Sequence, residues 1–242
     1  VDSASGITLR NAFDGKELRV LSGAECAKEG CLMFSADHAR LLSVSEHGSG
    51  YAVRVWNTAD GEMVGRFDAG SNERIQTFAI SPDGMRIAAG TKSGRIIVWD
   101  AATKQLVSPA ASQEGLPVGT GSISAAVFVP NGREVLLAGG GIVALWSVAD
   151  GSAVRTISGL GGSVSAFAIS PDGRTAAWSL SMHGNLALCD IGTGETRSLV
   201  IGTGIVGGAH STPPTVNAIA WHPDGKLIAT NSAKSEISLW NP

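Results

Sequence analysis

Short apolar runs punctuated by turn residues recur along the whole chain. The run Ile75–Ile80 ends in Ser-Pro-Asp-Gly, and Val164–Ile169 ends in the same four residues. Trp221-His-Pro-Asp-Gly225 repeats the arrangement, with Val129-Pro-Asn-Gly132 and Phe34-Ser-Ala-Asp37 as weaker copies. Pro presets one backbone angle and Asp-Gly or Asn-Gly accepts positive φ, so each copy predicts a hairpin turn between two strands. The runs themselves are rich in Val, Ile, Ala, Phe and Trp and are bounded by Gly, Pro, Asp and Asn, the pattern of many short strands. Gly is 32 of 242 residues, and the good helix formers Leu, Lys and Glu are scattered, so long helices are not expected.

A second landmark follows each turn: a strand ending in an aromatic and then a small polar residue. The copies are Val55-Trp56-Asn57, Val98-Trp99-Asp100, Leu145-Trp146-Ser147, Leu188-Cys189-Asp190 and Leu239-Trp240-Asn241, with Leu9-Arg10-Asn11 as a degenerate first one. They end at residues 11, 57, 100, 147, 190 and 241, so successive spacings are 46, 43, 47, 43 and 51. A period of this length is the mark of a repeat architecture.

On these residues the chain resembles the WD-repeat β-propellers, whose repeats each build a four-stranded blade with the Trp-Asp pair closing the third strand. The resemblance covers essentially the whole chain. It implies an all-β propeller of four-stranded antiparallel blades within a single domain, residues 1–242. Four complete blades fall at about 31–69, 75–110, 123–158 and 164–201, and partial blades at 1–22 and 216–242. Trp56, Trp99, Asp100, Trp146 and Trp240 then hold structural positions. The family's buried tetrad of His, Asp, Ser or Thr, and Trp is largely missing: only Ala209-His210 resembles the Gly-His dipeptide, and Ser93 or Ser235 stands where the turn Asp is expected. Most blades are therefore expected to hold together by packing without that network.

The first piece supplies only third and fourth strands and the last only the first three. Together with a first residue that is Val rather than Met, this gives the expectation of a piece of a longer chain with five, six or seven blades in the ring, or of self-association through the incomplete end blades.

Charge narrows the partners. Lys and Arg number 18 against 21 Asp and Glu, a net charge of −3, so there is no basic excess to neutralise phosphates; neither nucleic acid nor a membrane is an expected partner. The three cysteines, Cys26, Cys31 and Cys189, cannot all pair within the chain, and their spacing fits no zinc pattern. Reduced structural thiols are expected, with the compartment open and the cytoplasm favoured.

No motif carries catalysis. Gly48-Ser-Gly50 lacks the nucleophile-elbow spacing, Gly162-Ser-Val-Ser-Ala166 ends in the wrong residue, and the glycine-rich stretches 139–141 and 202–208 lead into strands rather than helices. His47 and His183 occupy equivalent turns two blades apart without matching carboxylates, and His38, His210 and His222 read as turn or packing residues. No metal site, no cofactor and no catalytic residue is expected. The long connections 107–122 and 202–215 lie on the rim where propellers of this family commonly bind partners. From loop position, the candidate contacts are Arg74, Gln113, Glu114 and His183. The reading is a non-enzymatic scaffold binding a protein or peptide; the alternative is a ligand-binding or catalytic propeller acting at its central channel or rim.

Overall fold

Twenty β-strands and no helix make up the described residues. The computed structural model describes residues 6–22, 31–47, 50–107, 121–157, 164–180, 186–199, 216–232 and 237–242. Each strand pairs antiparallel with its neighbours in sequence, giving six sheets in chain order. The first holds β1 (Ile7–Arg10) and β2 (Glu17–Leu21); the second holds β3 (Leu32–Phe34), β4 (Arg40–His47), β5 (Gly50–Asn57) and β6 (Met63–Ser71). The third holds β7 (Ile75–Ile80), β8 (Arg86–Thr91) and β9 (Ile96–Asp100). Next come β10 (Ile123–Phe128), β11 (Glu134–Gly139), β12 (Ile142–Ser147) and β13 (Ser152–Ile157), then β14 (Val164–Ile169), β15 (Thr175–Leu180), β16 (Leu186–Asp190) and β17 (Thr196–Leu199). The last holds β18 (Val216–Trp221), β19 (Ile228–Ser232) and β20 (Ile237–Trp240). The sheets stack on one another as the blades of a β-propeller.

Four strands are described in the second, fourth and fifth sheets and three in the third. In the third a single bridge joins Trp99 to Leu106 and the Val107 amide donates to the Val98 carbonyl at 2.9 Å. The blade expected over about 75–110 runs on into residues outside those described.

The Ser-Pro-Asp-Gly turns fasten themselves. In the third sheet the Ser81 hydroxyl donates to Asp83 Oδ1 at 2.5 Å, the Met85 amide donates to the same oxygen, and the Arg86 amide donates to Ser81 Oγ. Ser35 with Asp37 and Ser170 with Asp172 repeat the arrangement, and His222 Nδ1 replaces the hydroxyl beside Asp224. Gly84 completes its turn at φ 70°, a conformation that costs glycine nothing.

Each core cluster lies between two consecutive sheets. Alternate third-strand residues of one sheet, Val53 and Val55, Ile96 and Val98, Val143 and Leu145, or Leu186 and Leu188, are buried against the sheet that follows. The facing sheet contributes its own third-strand position: Trp99, Trp146, Cys189 and Trp240 respectively. The β1–β2 pair packs the same way, Ile7 and Leu21 against Leu41 and Trp56. Sheets approach closely enough at Gly90 that a Cβ there would sit 2.5 Å from Ile123 Cγ2, which is why a strand interior carries glycine.

The cysteine expectation is corrected. Cys31 is disulfide-bonded, while Cys189 is free and buried. An odd number of cysteines excludes only the pairing of all three.

Candidate functional site

The rim that carries the inter-sheet loops and the turns between second and third strands is best defined at the junction of the second and third sheets. Three pieces of chain meet there: the end of β4 and start of β5, the loop 72–74, and the turn 92–95. The Lys92 amide donates to the Arg74 carbonyl at 2.8 Å, which ties loop to turn. Gly94, at φ 86°, lies against the Gly121 carbonyl that leads into the next sheet.

Glu73 is the hub. Its Oε2 accepts from the Ser93 hydroxyl at 2.7 Å and its Oε1 from Arg95 Nη1 at 2.9 Å. Ser93 Oγ lies 2.8 Å from Oγ1 of the buried Thr91, and the Arg95 amide donates to that same threonine oxygen. Burial pushes the Glu73 carboxyl up, but the hydrogen bonds from Ser93, Arg95 and Thr91 and the guanidinium charge outweigh it, so the group sits below its ordinary value. The Glu73 side chain is only 13% exposed, so the ion pair is partly sheltered from screening.

Around this brace stand an aromatic ring and two cations. The exposed Arg74 places Cζ 5.8 Å from the centre of the Tyr51 ring, within cation–π range. The Tyr51 hydroxyl donates to Glu46 Oε2 at 3.2 Å, which orients the ring. Lys92 is exposed beside Arg74.

Where Ser93 stands in place of the family's turn Asp, a different polar network forms, with Glu73, Ser93, Thr91 and Arg95 as its members. Two tryptophans also keep hydroxyl partners: Trp56 Nε1 donates to Ser43 Oγ at 3.0 Å and Trp240 Nε1 to Thr230 Oγ1 at 2.9 Å. Trp146 has no such partner, because Leu137 occupies the corresponding β11 position.

Of the residues named from sequence, Arg74 lies in this cluster. Gln113, Glu114, His183 and His210 lie outside the described residues, as do most of the two long loops. Trp56, Trp99 and Trp146 are buried in the inter-sheet cores and Trp240 is half-buried. Asp100 lies on the opposite rim, where it accepts the amides of Ala102 and Thr103 and the Thr103 hydroxyl; these bonds, led by the Thr103 amide, hold its carboxyl below the ordinary range. Sequence reasoning missed Glu73, Tyr51 and Arg95. The available signal was a loop acid followed by a base in the next turn of the same repeat. Among the described residues, no group of three or more His, Cys, Asp or Glu side chains is placed to hold a metal ion.

Comparison with known proteins places the chain in context. The family described as WD domain, G-beta repeat, matches at residues 61–100 and 205–241. Apoptotic protease-activating factor 1 of Rattus norvegicus is 30% identical over 109 residues, which cover 44% of this chain and 9% of that protein. Telomerase protein component 1 of Mus musculus is 26% identical over 162 residues, 67% of this chain and 6% of that protein. Autophagy-related protein 16 of Arabidopsis thaliana is 31% identical over 186 residues, 76% of this chain and 33% of that protein. The chain thus spans a minor part of each of these relatives. Among solved structures, a chain in the crystal structure of a mitotic checkpoint complex superposes with TM-score 0.76 at 20% identity, covering 99% of this chain and 69% of that one. At that identity the likeness speaks for the fold.

Proposed function

The chain belongs to the WD-repeat family, and from that premise we propose that it is a non-enzymatic scaffold that holds a protein or peptide on the loop-bearing rim. The observation that carries this reading is the brace of Glu73, Ser93 and Arg95 beneath the exposed Arg74 and Lys92. Beside it the Lys92 amide ties to the Arg74 carbonyl, and the Arg74 guanidinium lies over the Tyr51 ring, whose hydroxyl is bonded to Glu46. Recognition residues commonly sit on loops that a scaffold immobilises, and side chains already held in place lose less entropy on binding. A solved neighbour that belongs to a multi-protein complex supports the same class of role. Gln113, Glu114 and His183 join this surface on the strength of their sequence positions. Residues 1–242 are taken as one propeller domain with the blade boundaries given above.

The test compares proteins captured by the purified chain with those captured by an Arg74→Glu, Lys92→Glu variant of unchanged circular dichroism and by a variant shortened in loops 107–122 and 202–215. The expected result is loss of the same captured species in both. Undiminished capture by both variants overturns the assignment.

A further inference from the structure

An arginine on the outer strand of one sheet reaches the turn of the next at two seams, and the register places both arginines alike. Arg19 pairs with Leu9 in the first sheet and Arg155 with Leu145 in the fourth, each opposite the residue just before the landmark position of Arg10 or Trp146. Arg19 Nη1 donates to the Asp60 carbonyl of the second sheet, and Arg155 Nη1 donates to the Ile191 and Gly192 carbonyls of the fifth, both at 2.6 Å. Each turn makes room for the incoming stem with a glycine at positive φ. A Cβ on Gly61 would lie 2.6 Å from Arg19 Cδ, and one on Gly194 would lie 2.8 Å from Arg155 Cδ.

At the seam between the second and third sheets both halves of this device are replaced. Gly65, opposite Val55, takes the arginine's register position, and Lys104, at φ 62°, takes the glycine's place in the turn. Gly61, Lys104 and Gly194 correspond because each amide donates to the carbonyl four residues back, at Asn57, Asp100 and Asp190. The Phe67 ring fills the space over Gly65, where a Cβ would lie 2.8 Å from its Cε2, and it packs on Trp99. Aromatic packing closes that seam, whereas a cavity lies behind Arg155. Its lining joins Arg155 and Ile191, the two sides of the tie, to Trp178 and Cys189.

We propose that Arg155 is a latch: its release parts the outer edge of the seam between the fourth and fifth sheets and admits solvent to Cys189 while the inner strands stay stacked. Opening is cheapest here because a void already lies on the inner side of the tie, so few packed contacts are lost when the turn 190–194 moves away. The half-buried arginine stem covers that void, and its charged donor holds two carbonyls of a turn rather than of a strand ladder. The inner part of the same seam is held separately, with Val129, Ala138 and Val164 in one buried cluster.

Labelling of Cys189 in the whole chain by an aromatic disulfide reagent, followed by mass spectrometry of its peptide, tests the latch. Arg155→Met keeps an apolar stem over the cavity and removes the donor. It is expected to label Cys189 about tenfold or more faster than wild type. The rate should change little in urea well below the melt, because a local opening exposes little surface. Arg19→Met removes the matching tie at another seam and, compared at equal global stability read from urea melts, is expected to label Cys189 at the wild-type rate. Where Arg155→Met loses its cooperative melt, Arg155→Lys takes its place. Labelling of the Arg155 variant no faster than wild type, acceleration that its fall in global stability accounts for, or equal acceleration by Arg19→Met would overturn the inference.

Discussion

Trp178 and Cys189 have exchanged sizes across one strand pair. In the second sheet the third strand carries the large residue, Trp56, and the second strand carries the small Ser43 two positions beyond Trp56's register partner Leu41. In the fifth sheet the third strand carries Cys189 opposite Ala176, and Trp178 stands two positions further along β15. Trp178 is fully buried, Cys189 is 2% exposed, and both line the same small apolar cavity together with Leu136, Leu145 and Ala176. The indole has moved from one strand to the next while the space it fills has stayed in place.

A double-mutant cycle measures this exchange. Trp178→Ala is expected to cost about 3 to 5 kcal/mol, the usual range for emptying an aromatic site in a core. Cys189→Trp alone is expected to destabilise by overpacking. The combination Trp178→Ala with Cys189→Trp returns the large residue to the third strand as in the second sheet, so its loss should be smaller than the sum of the singles by more than about 0.5 kcal/mol. Additive losses in urea melts would show that the two side chains do not share a site.

Trp99 and Lys92 separate core from rim. Trp99 is buried and its ring centroid lies 5.9 Å from that of Phe67, whereas Lys92 is exposed. Trp99→Ala is expected to cost about 3 to 5 kcal/mol and Lys92→Ala no more than about 0.5 kcal/mol. Thermal melts of the two variants decide it; equal, small effects would sink the strand register.

Acid should loosen the rim through Glu73. Its carboxyl is held below the ordinary value of 4.5 in the folded chain. A depressed acid contributes stability that is present above its unfolded value and is lost as pH falls through the folded one. The melting temperatures of wild type and Glu73→Gln are therefore expected to differ most near neutral pH and to converge only as pH falls below 4.5 and through the depressed folded value. A gap that stays constant down to acid pH would remove Glu73 from the account.

The free thiol is a probe of the fifth sheet. Burial raises the Cys189 thiol above its ordinary value, and only a minor counter-effect comes from Thr196 and Arg155. Reaction with an aromatic disulfide reagent depends on the thiolate, so Cys189 is expected to be inert in the native chain and to react at the rate at which this sheet opens. Fast labelling without denaturant would contradict its buried position.

What the sequence made legible was whatever the repeat encodes locally. The turns at Ser81–Gly84 and Ser170–Gly173 announce themselves because their hydrogen bonds close within a few residues. The third strands announce themselves through Trp56, Trp99 and Trp146 at regular spacing. The brace at Glu73 was not legible, because its members come from a loop and a turn about twenty residues apart and replace the family's usual side chains with others of different shape. The exchange of Trp178 and Cys189 was not legible either, because its meaning required the register that sets the two strands side by side.

The self-fastened turns on the rim opposite the loops have a consequence for how such a chain can change over generations. Ser81 and Asp83 satisfy each other and the backbone between them without help from a neighbouring sheet. A unit so closed at one edge can be copied, deleted or spliced into a different place in the array without rewiring that edge. Change is left to the other rim, where Glu73 and Arg95 join loop to turn with side chains that the repeat itself does not prescribe.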